Sequence, residues 1–343
     1  MANINKALHR WKEILLITAL IKIILFILSP NLSSWIRWDS PHYIDIAKNG
    51  YQSIGESALW IVFYPFYPFL IKLANVVFNN FNFSAIFISV FFNFLASIAL
   101  YELTLLDFQK RVALLVVWFM NIFPTAYFLQ AGYTESLFLA TSICSIYAYR
   151  KNSYLLSGIF GLLATATRIN GLLLLPLMFF EKKLNRKNFL AFCITPIGFV
   201  IYLLINHKIF GDFFYFTKPL YSNWFKKFDW PWIGITNLLQ NVSPTTDYIY
   251  FSEILAVIFI FVAAFLVLLK VRKSYGLYIF LNLMLILSTS YILSTPRYML
   301  SLFPIYILFA QIKNKLSIII LSYISISLLV LFSLLFTKGK WAF

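Results

Sequence analysis

The chain has 343 residues, of which 61% are hydrophobic, 20% aromatic and only 12% charged. A soluble domain carries about a quarter charged residues, so this chain could not cover its apolar surface with polar side chains, and a soluble globular fold is excluded. The formal charge of +16 would suggest nucleic acid in a soluble protein, but here the basic residues gather in short segments between apolar runs, as membrane topology requires.

Lipid is therefore the expected solvent, and the fold an all-α integral membrane protein. Runs such as Ile254–Leu269 and Ile318–Leu335 carry no charge and lack the alternation of a strand barrel. At the N-terminus Lys6, Arg10 and Lys12 precede an apolar run with no small-residue cleavage site behind it, which predicts a retained first span. Spans are expected near 13–29, 83–105, 112–128, 134–149, 154–167, 170–181, 188–209, 250–269, 275–292, 298–312 and 317–336. The stretch Leu59–Phe78 is apolar too, but it holds Tyr64-Pro65 and Tyr67-Pro68. Prolines one turn apart suit a short interfacial or re-entrant helix better than a full span, and the aromatics suit the head-group layer.

This assignment places the N-terminus in the cytoplasm. Sixteen of the 28 basic residues then fall in six short cytoplasmic segments, those of Lys12, Lys110, Arg150, Lys182, Arg272 and Lys313; Lys338 and Lys340 fall on the other side. The non-cytoplasmic face receives two long loops, 30–82 and 210–249. Residues 1–343 form one transmembrane domain, with no linker, soluble domain or clear internal repeat. The spans 154–167 and 170–181 are too short to cross alone, and short helices meeting at an intramembrane polar residue are typical of a binding cavity. The residue at that junction is Arg168. Cys144 and Cys193 sit in apolar runs without zinc-ligand spacing and are expected to be reduced packing residues.

The first long loop carries Trp38-Asp39-Ser40-Pro41-His42-Tyr43. Asp39 is expected at the membrane interface, where a carboxylate with one polar and one apolar side is suited to general-base work. The competing reading is a helix N-cap, since Asp shortly before Pro is a good start signal. His42 lies three residues on, on the same face of a helix, where it could orient the acid or touch a phosphate. Asp45 is expected to be solvated or paired with Lys48. Arg168 is an ionisable residue inside a membrane segment and a functional suspect by default; its planar fork suits a phosphate, while snorkelling or a pair with Glu135 is the plainer alternative. Glu135 heads a span, where an acid also simply favours the helix dipole. Arg297 starts a span as well, where a cation is unfavourable for the dipole, which points to another task such as holding an anion. For Asp212, at the start of the second long loop, a turn is an adequate explanation. Lys22 interrupts the first span and either snorkels or faces a polar interior. No ligand spacing indicates a metal and no cofactor is predicted, although isolated carboxylates leave a weakly held divalent ion open. One acid at a loop entrance and two arginines on the same face suit a substrate that is part lipid and part phosphate.

Six segments occur in a telling order: RWDSPHYIDIAKNGY at 37–51, FYPFYPFL at 63–70, FPTAYFLQAGYTESLFL at 123–139, GLLATATRINGLLLLP at 161–176, FGDFFYF at 210–216 and PRYMLSLFPIYILFA at 296–310. Over residues 35–310 the chain resembles the second GPI mannosyltransferase family and its prokaryotic relatives, within the GT-C superfamily of membrane glycosyltransferases. The resemblance implies a GT-C-type polytopic bundle, here of about eleven transmembrane helices, with a catalytic first external loop. It implies a sugar donor, mannose above all, linked to a polyprenyl or dolichyl monophosphate, and inversion at the anomeric carbon. By motif position Asp39 would be the general base, and Arg168 and Arg297 would meet the charge of the phosphate leaving group. Glu135 and His42 match motif positions, and Trp38, Tyr43 and Tyr51 could stack on sugar or prenyl surfaces; Asp212 lies in the matching FGDFFYF segment. The chain is shorter than eukaryotic members and its second loop is modest, so the acceptor stays open as a lipid- or surface-linked glycan. Abundant Lys, Asn, Ile and Phe suggest an AT-rich genome, hence a microbial plasma membrane with the chemistry on its external face. The partners implied are this donor, a glycan or glycolipid acceptor and the bilayer, with no nucleic acid. A lipid-linked sugar transporter or flippase would predict internal repeats and two-sided access, and a non-catalytic subunit of a glycan-assembly complex would have no need of Asp39.

Overall fold

A computed structural model describes residues 2–240 and 247–343; positions 241–246 of the second expected loop lie outside the described residues. Among the described residues the architecture is helical, with a single isolated bridge between Phe228 and Thr289 and no strand. Four helices are long and apolar enough to cross a membrane alone: Phe81–Thr104, Phe189–Phe210, Tyr248–Lys270 and Lys315–Thr337. The first helix, Ala2–Leu28, has 27 residues but is interrupted by charge at Lys12, Glu13 and Lys22.

Most of the other expected spans are shorter than the hydropathy pattern suggests, Glu135–Arg150 matching the length expected of 134–149, and the helix lengths do not establish eleven full crossings. Lys110–Asn121 and Tyr154–Thr165 have 12 residues and Glu135–Arg150 has 16, so they are about 18–24 Å long at 1.5 Å per residue. Instead of one helix over 298–312 the chain forms two, Thr295–Met299 and Pro304–Ala310, with Pro304 starting the second. Short helices and loops of this kind are tolerated at membrane depth only where neighbouring protein covers them. Glu135–Arg150 meets that condition, being buried along nearly its whole length. Close packing uses glycine where backbones meet: a Cβ on Gly198 would lie 2.0 Å from the Leu162 carbonyl oxygen, so Ile197–Phe210 can approach Tyr154–Thr165 only without a side chain there.

The demoted stretch is a bent pair. Glu56–Val62 and Phe66–Phe78 meet at 113°, with Tyr64-Pro65 at the bend. The Phe66 amide donates to the Ala166 carbonyl (3.1 Å), and the Tyr202 hydroxyl to the Ile61 carbonyl (2.7 Å). The first long loop is thereby tied to the helix junction that carries Arg168.

At the basic end of the bundle, four charged side chains from different helix ends form a lattice. Arg150 binds Asp107 at 2.6 Å through both terminal nitrogens and Glu181 at 3.1 Å, while Arg272 binds the same two acids at 2.6 and 2.9 Å. Burial opposes the charge on Asp107, but the two guanidiniums outweigh it and hold the carboxyl below its ordinary range. Residues that topology alone would explain thus also clamp helix ends together. Lys22 does not snorkel: it is 3% exposed and its Nζ has no hydrogen-bond partner among the described residues. Cys144 is partly buried, but Cys193 is exposed rather than packed, because the short helix Phe189–Ile194 buries Ala191 instead.

Candidate functional site

The site is built from the first long loop, the start of Glu135–Arg150, the Arg168 junction and the short helix Thr295–Met299. Trp38 adopts φ 54°, a left-handed backbone rarely seen for a large side chain. This turn delivers Asp39 to the head of the helix Ser40–Asn49. Tyr133 fixes the turn, donating its hydroxyl hydrogen to the Arg37 carbonyl (2.9 Å) and accepting from the Asp39 amide (3.3 Å).

Asp39 stands at the N-cap position but its side chain makes no capping hydrogen bond. Its Oδ2 instead accepts from an Arg297 terminal nitrogen at 2.7 Å. The carboxylate is a quarter exposed, and its Oδ1 accepts no hydrogen bond among the described residues. Arg297 also donates Nε to Glu135 Oε1 at 2.6 Å, and its guanidinium lies 4.5 Å from the Tyr133 ring centre and 5.1 Å from that of Phe128. Arg168 donates to the same Glu135 oxygen at 2.9 Å and to the Ser301 hydroxyl at 3.2 Å. The pair with Glu135, the plainer alternative for Arg168, is therefore present. Glu135 is fully buried and its Oε2 lacks a partner among the described residues.

Two carboxylates and two guanidiniums thus alternate as Asp39–Arg297–Glu135–Arg168. Their formal charges cancel, and the full donor forks offset part of the cost of burying them. Beyond Arg168 lies one more cation. Its guanidinium sits 5.8 Å over the Tyr298 ring, and Lys226 from the second long loop donates Nζ to the Tyr298 hydroxyl at 2.8 Å. Lys226 makes no salt bridge among the described residues.

The remaining sequence candidates are placed differently. His42 stacks on Trp60 (3.6 Å between ring centres) and Phe63; burial pushes its pKa below the ordinary value, partly opposed by Asp39, Glu56 and Asp45. Tyr43 packs edge-on against Phe63 and Tyr67, and the Tyr51 hydroxyl donates to the Phe63 carbonyl. Trp38 remains exposed and meets Trp341 edge-on. Asp45 is not paired with Lys48; it accepts from Asn49, Ser57 and Trp60. Asp212 caps a turn, accepting from the Phe214 amide and pairing with Lys218. Those contacts hold its carboxyl below the ordinary range, and no bond joins it to the Asp39 lattice. Among the described residues no three His, Cys, Asp or Glu side chains group as metal ligands.

Lys226, Tyr133, Ser301 and Tyr298 were not singled out from sequence. Tyr133 stands two positions from Glu135 in one motif, and Tyr298 beside Arg297 in another, so proximity to charged motif residues was the available signal. Lys226 had none, lying in an ordinary Lys-Lys pair.

No protein-family model matches the chain. Over 147 residues it is 35% identical to GPI mannosyltransferase 2 of Schizosaccharomyces pombe, covering 40% of this chain and 30% of that protein. GPI alpha-1,6-mannosyltransferase 2 of Mus musculus is 28% identical over 147 residues, covering 29% of its length. The matches therefore span less than a third of these curated relatives. Among solved structures, the apo oligosaccharyltransferase of Archaeoglobus fulgidus superposes with a TM-score of 0.55 at 15% identity, covering 96% of this chain and 56% of that one. A second structure of that enzyme, with zinc and sulfate, gives 0.51 at 16% identity and covers 95% of this chain and 53% of that one. The structural likenesses show the fold alone, a helical bundle like that of the oligosaccharyltransferase, and the chain resembles the GPI mannosyltransferases in sequence.

Proposed function

We propose that the protein is an inverting membrane glycosyltransferase that moves a hexose, mannose foremost, from a polyprenyl- or dolichyl-monophosphate donor to a lipid- or surface-linked glycan. The observation that carries this reading is the partly exposed Asp39 carboxylate, held through Oδ2 by Arg297 with Oδ1 accepting no hydrogen bond among the described residues, at one end of the lattice that continues to Arg168. The names of the sequence relatives support mannose, and the shared bundle supports a GT-C architecture.

In this reading Asp39 Oδ1 takes the proton from an acceptor hydroxyl as that oxygen attacks the anomeric carbon. The bond from that carbon to the phosphate oxygen breaks, and the electron pair leaves with the lipid phosphate. Attack from the face opposite the leaving group inverts the centre. The leaving phosphate gains one negative charge, which in this reading Arg168 and Lys226 meet. Arg297 serves the base, with both of its bonded partners being carboxylates. In this reading the site lies on the non-cytoplasmic face, as the charge distribution of the loops favours, and the Lys-, Asn-, Ile- and Phe-rich composition supports a microbial plasma membrane.

The test uses purified protein in liposomes with radiolabelled polyprenyl-phosphate-mannose and a mixed glycolipid extract, for wild type and Asp39→Asn. Label should leave the donor for a glycolipid with wild type only. Full transfer by Asp39→Asn would remove the base assignment, and absence of donor binding by either protein would favour another sugar or the transporter alternative.

A further inference from the structure

The short helix Thr295–Met299 carries Arg297, yet it has no cap of its own. Ser294 stands at its N-cap with φ 70° and makes no side-chain capping bond. A helix start leaves several amide hydrogens without intrahelical acceptors. Here each is accounted for. The Arg297 amide donates to the Ser294 carbonyl, Pro296 has no amide hydrogen, and the Ser294 and Thr295 amides donate to a carboxylate from another helix. That carboxylate is Glu253, whose Oε1 and Oε2 accept at 2.7 and 2.8 Å. Glu253 is fully buried in the apolar helix Asp247–Lys270. An acid at membrane depth is costly and is retained where it has a task.

We infer that Glu253 is a positioning residue: it caps the Thr295–Met299 helix from a neighbouring span and thereby sets where Arg297 presents its fork to Asp39 and Glu135. The geometry is specific. Two carboxylate oxygens meet two consecutive amides, and the bonded amides lie two and three positions before Arg297. A shift of the helix would displace Arg297 relative to both acids at once, since one guanidinium carries both bonds. The same end of the segment has a second tie, with the Thr125 hydroxyl donating to the Pro296 carbonyl at 3.1 Å. Glu253 therefore acts on the site through Arg297 and touches neither Asp39 nor Glu135. Its consequence for transfer rests on the function proposed above; the positioning itself does not.

The experiment is a double-variant cycle of Glu253→Gln and Asp39→Asn in the full chain, read first by unfolding temperature in detergent. Gln keeps one accepting oxygen but turns a donor toward the second amide. If Glu253 sets the Arg297–Asp39 pair, Asp39→Asn costs less in the Glu253→Gln background, and the two losses in Tm sum to more than the loss of the double variant. Additive losses would overturn the inference, and this reading needs no turnover. Should Glu253→Gln fail to fold, Glu253→Asp keeps the charge, withdraws it by one methylene and should show the same coupling at smaller size. Once wild-type transfer is measured, Glu253→Gln should lower kcat about tenfold or more at an unchanged donor KM, as misplacement of a catalytic group does. Glu253→Asp should recover part of that loss. Coupling in Tm without transfer in wild type would retain the positioning role and reject the proposed activity. A rise in donor KM at full kcat would overturn the role of Glu253 in aligning the base.

Discussion

Arg297 reaches Asp39 across 258 positions of sequence, and closes the contact at 2.7 Å while its Nε is already bound to Glu135. One guanidinium thus joins the first long loop to the start of a fully buried acid. Arg297→Ala should leave Asp39 without its counter-charge and Glu135 with Arg168 alone, a loss of about 3 kcal/mol in stability. Transfer should fall at least ~10²-fold, as when one preorganised polar contact is removed from an active site. Arg297→Lys keeps the charge but has no fork to bridge both acids, so it should regain stability more than activity. Unfolding temperature and turnover, measured side by side, check this; full turnover by Arg297→Lys would show that bridging is dispensable.

The lattice from Asp39 to Arg168 is neutral overall, whereas a lipid-linked sugar phosphate is a monoanion. In the proposed function Lys226 supplies the additional positive charge, and among the described residues its Nζ holds only the Tyr298 hydroxyl within hydrogen-bond distance. The nearby Glu253 carboxylate is taken up by two backbone amides. Lys226→Met should therefore weaken donor binding about tenfold, as expected for a charge-assisted hydrogen bond worth ~1.5 kcal/mol, with little change in the acceptor KM. Donor and acceptor titrations in liposomes check this, and an equal rise in both constants would move Lys226 away from the phosphate.

The lattice at the other end of the bundle should matter for stability alone. Arg150 is 9% exposed and Glu181 3%, so Arg150→Ala leaves two acids short of a partner, with an expected loss of about 3 kcal/mol. Lys151→Ala, next in sequence but exposed, should change stability by less than ~0.5 kcal/mol. Thermal unfolding of both variants provides the comparison, and activity per folded molecule should stay at the wild-type level. Equal unfolding temperatures for the two would mean that the clamp contributes nothing.

Hydropathy and charge made the helical membrane class legible, and the two Tyr-Pro pairs made the bent segment legible, because each signal is local. The shortening of the span at 112–128 and the division of 298–312 into two helices were not. Glu135–Arg150 is apolar enough to read as a crossing, but only its neighbours determine that a 16-residue helix can lie wholly inside protein. At the site, Asp39, Glu135, Arg168 and Arg297 all stood out as charges at or inside apolar runs, yet their alternation depends on contacts 33 to 258 positions apart. Glu253 carried the same intramembrane signal, one residue before the uncharged run Ile254–Leu269, and should have been flagged beside them. Lys226 could not be: a loop lysine gains meaning only when the fold lays it against Tyr298. His42 shows the reverse case, a residue conspicuous by type whose ring is spent on Trp60 and Phe63.

That stacking gives His42 a testable signature. Burial is the largest influence on its imidazole and disfavours the proton, outweighing the attraction of Asp39, Glu56 and Asp45. The folded protein therefore binds this proton less readily than the unfolded chain, whose histidine titrates near ~6.5. A group with a depressed folded pKa contributes its full stability above the unfolded value and loses it as pH falls through the folded one. Unfolding temperature should accordingly drop between pH 7.5 and about 5.5, above the range where unperturbed carboxylates titrate. His42→Phe keeps a flat ring against Trp60 and removes the titration, so its unfolding temperature should fall less over the same interval. An equal fall in both proteins would mean that the acid sensitivity arises elsewhere, while a smaller fall with transfer retained would separate the packing role of His42 from any contact with substrate.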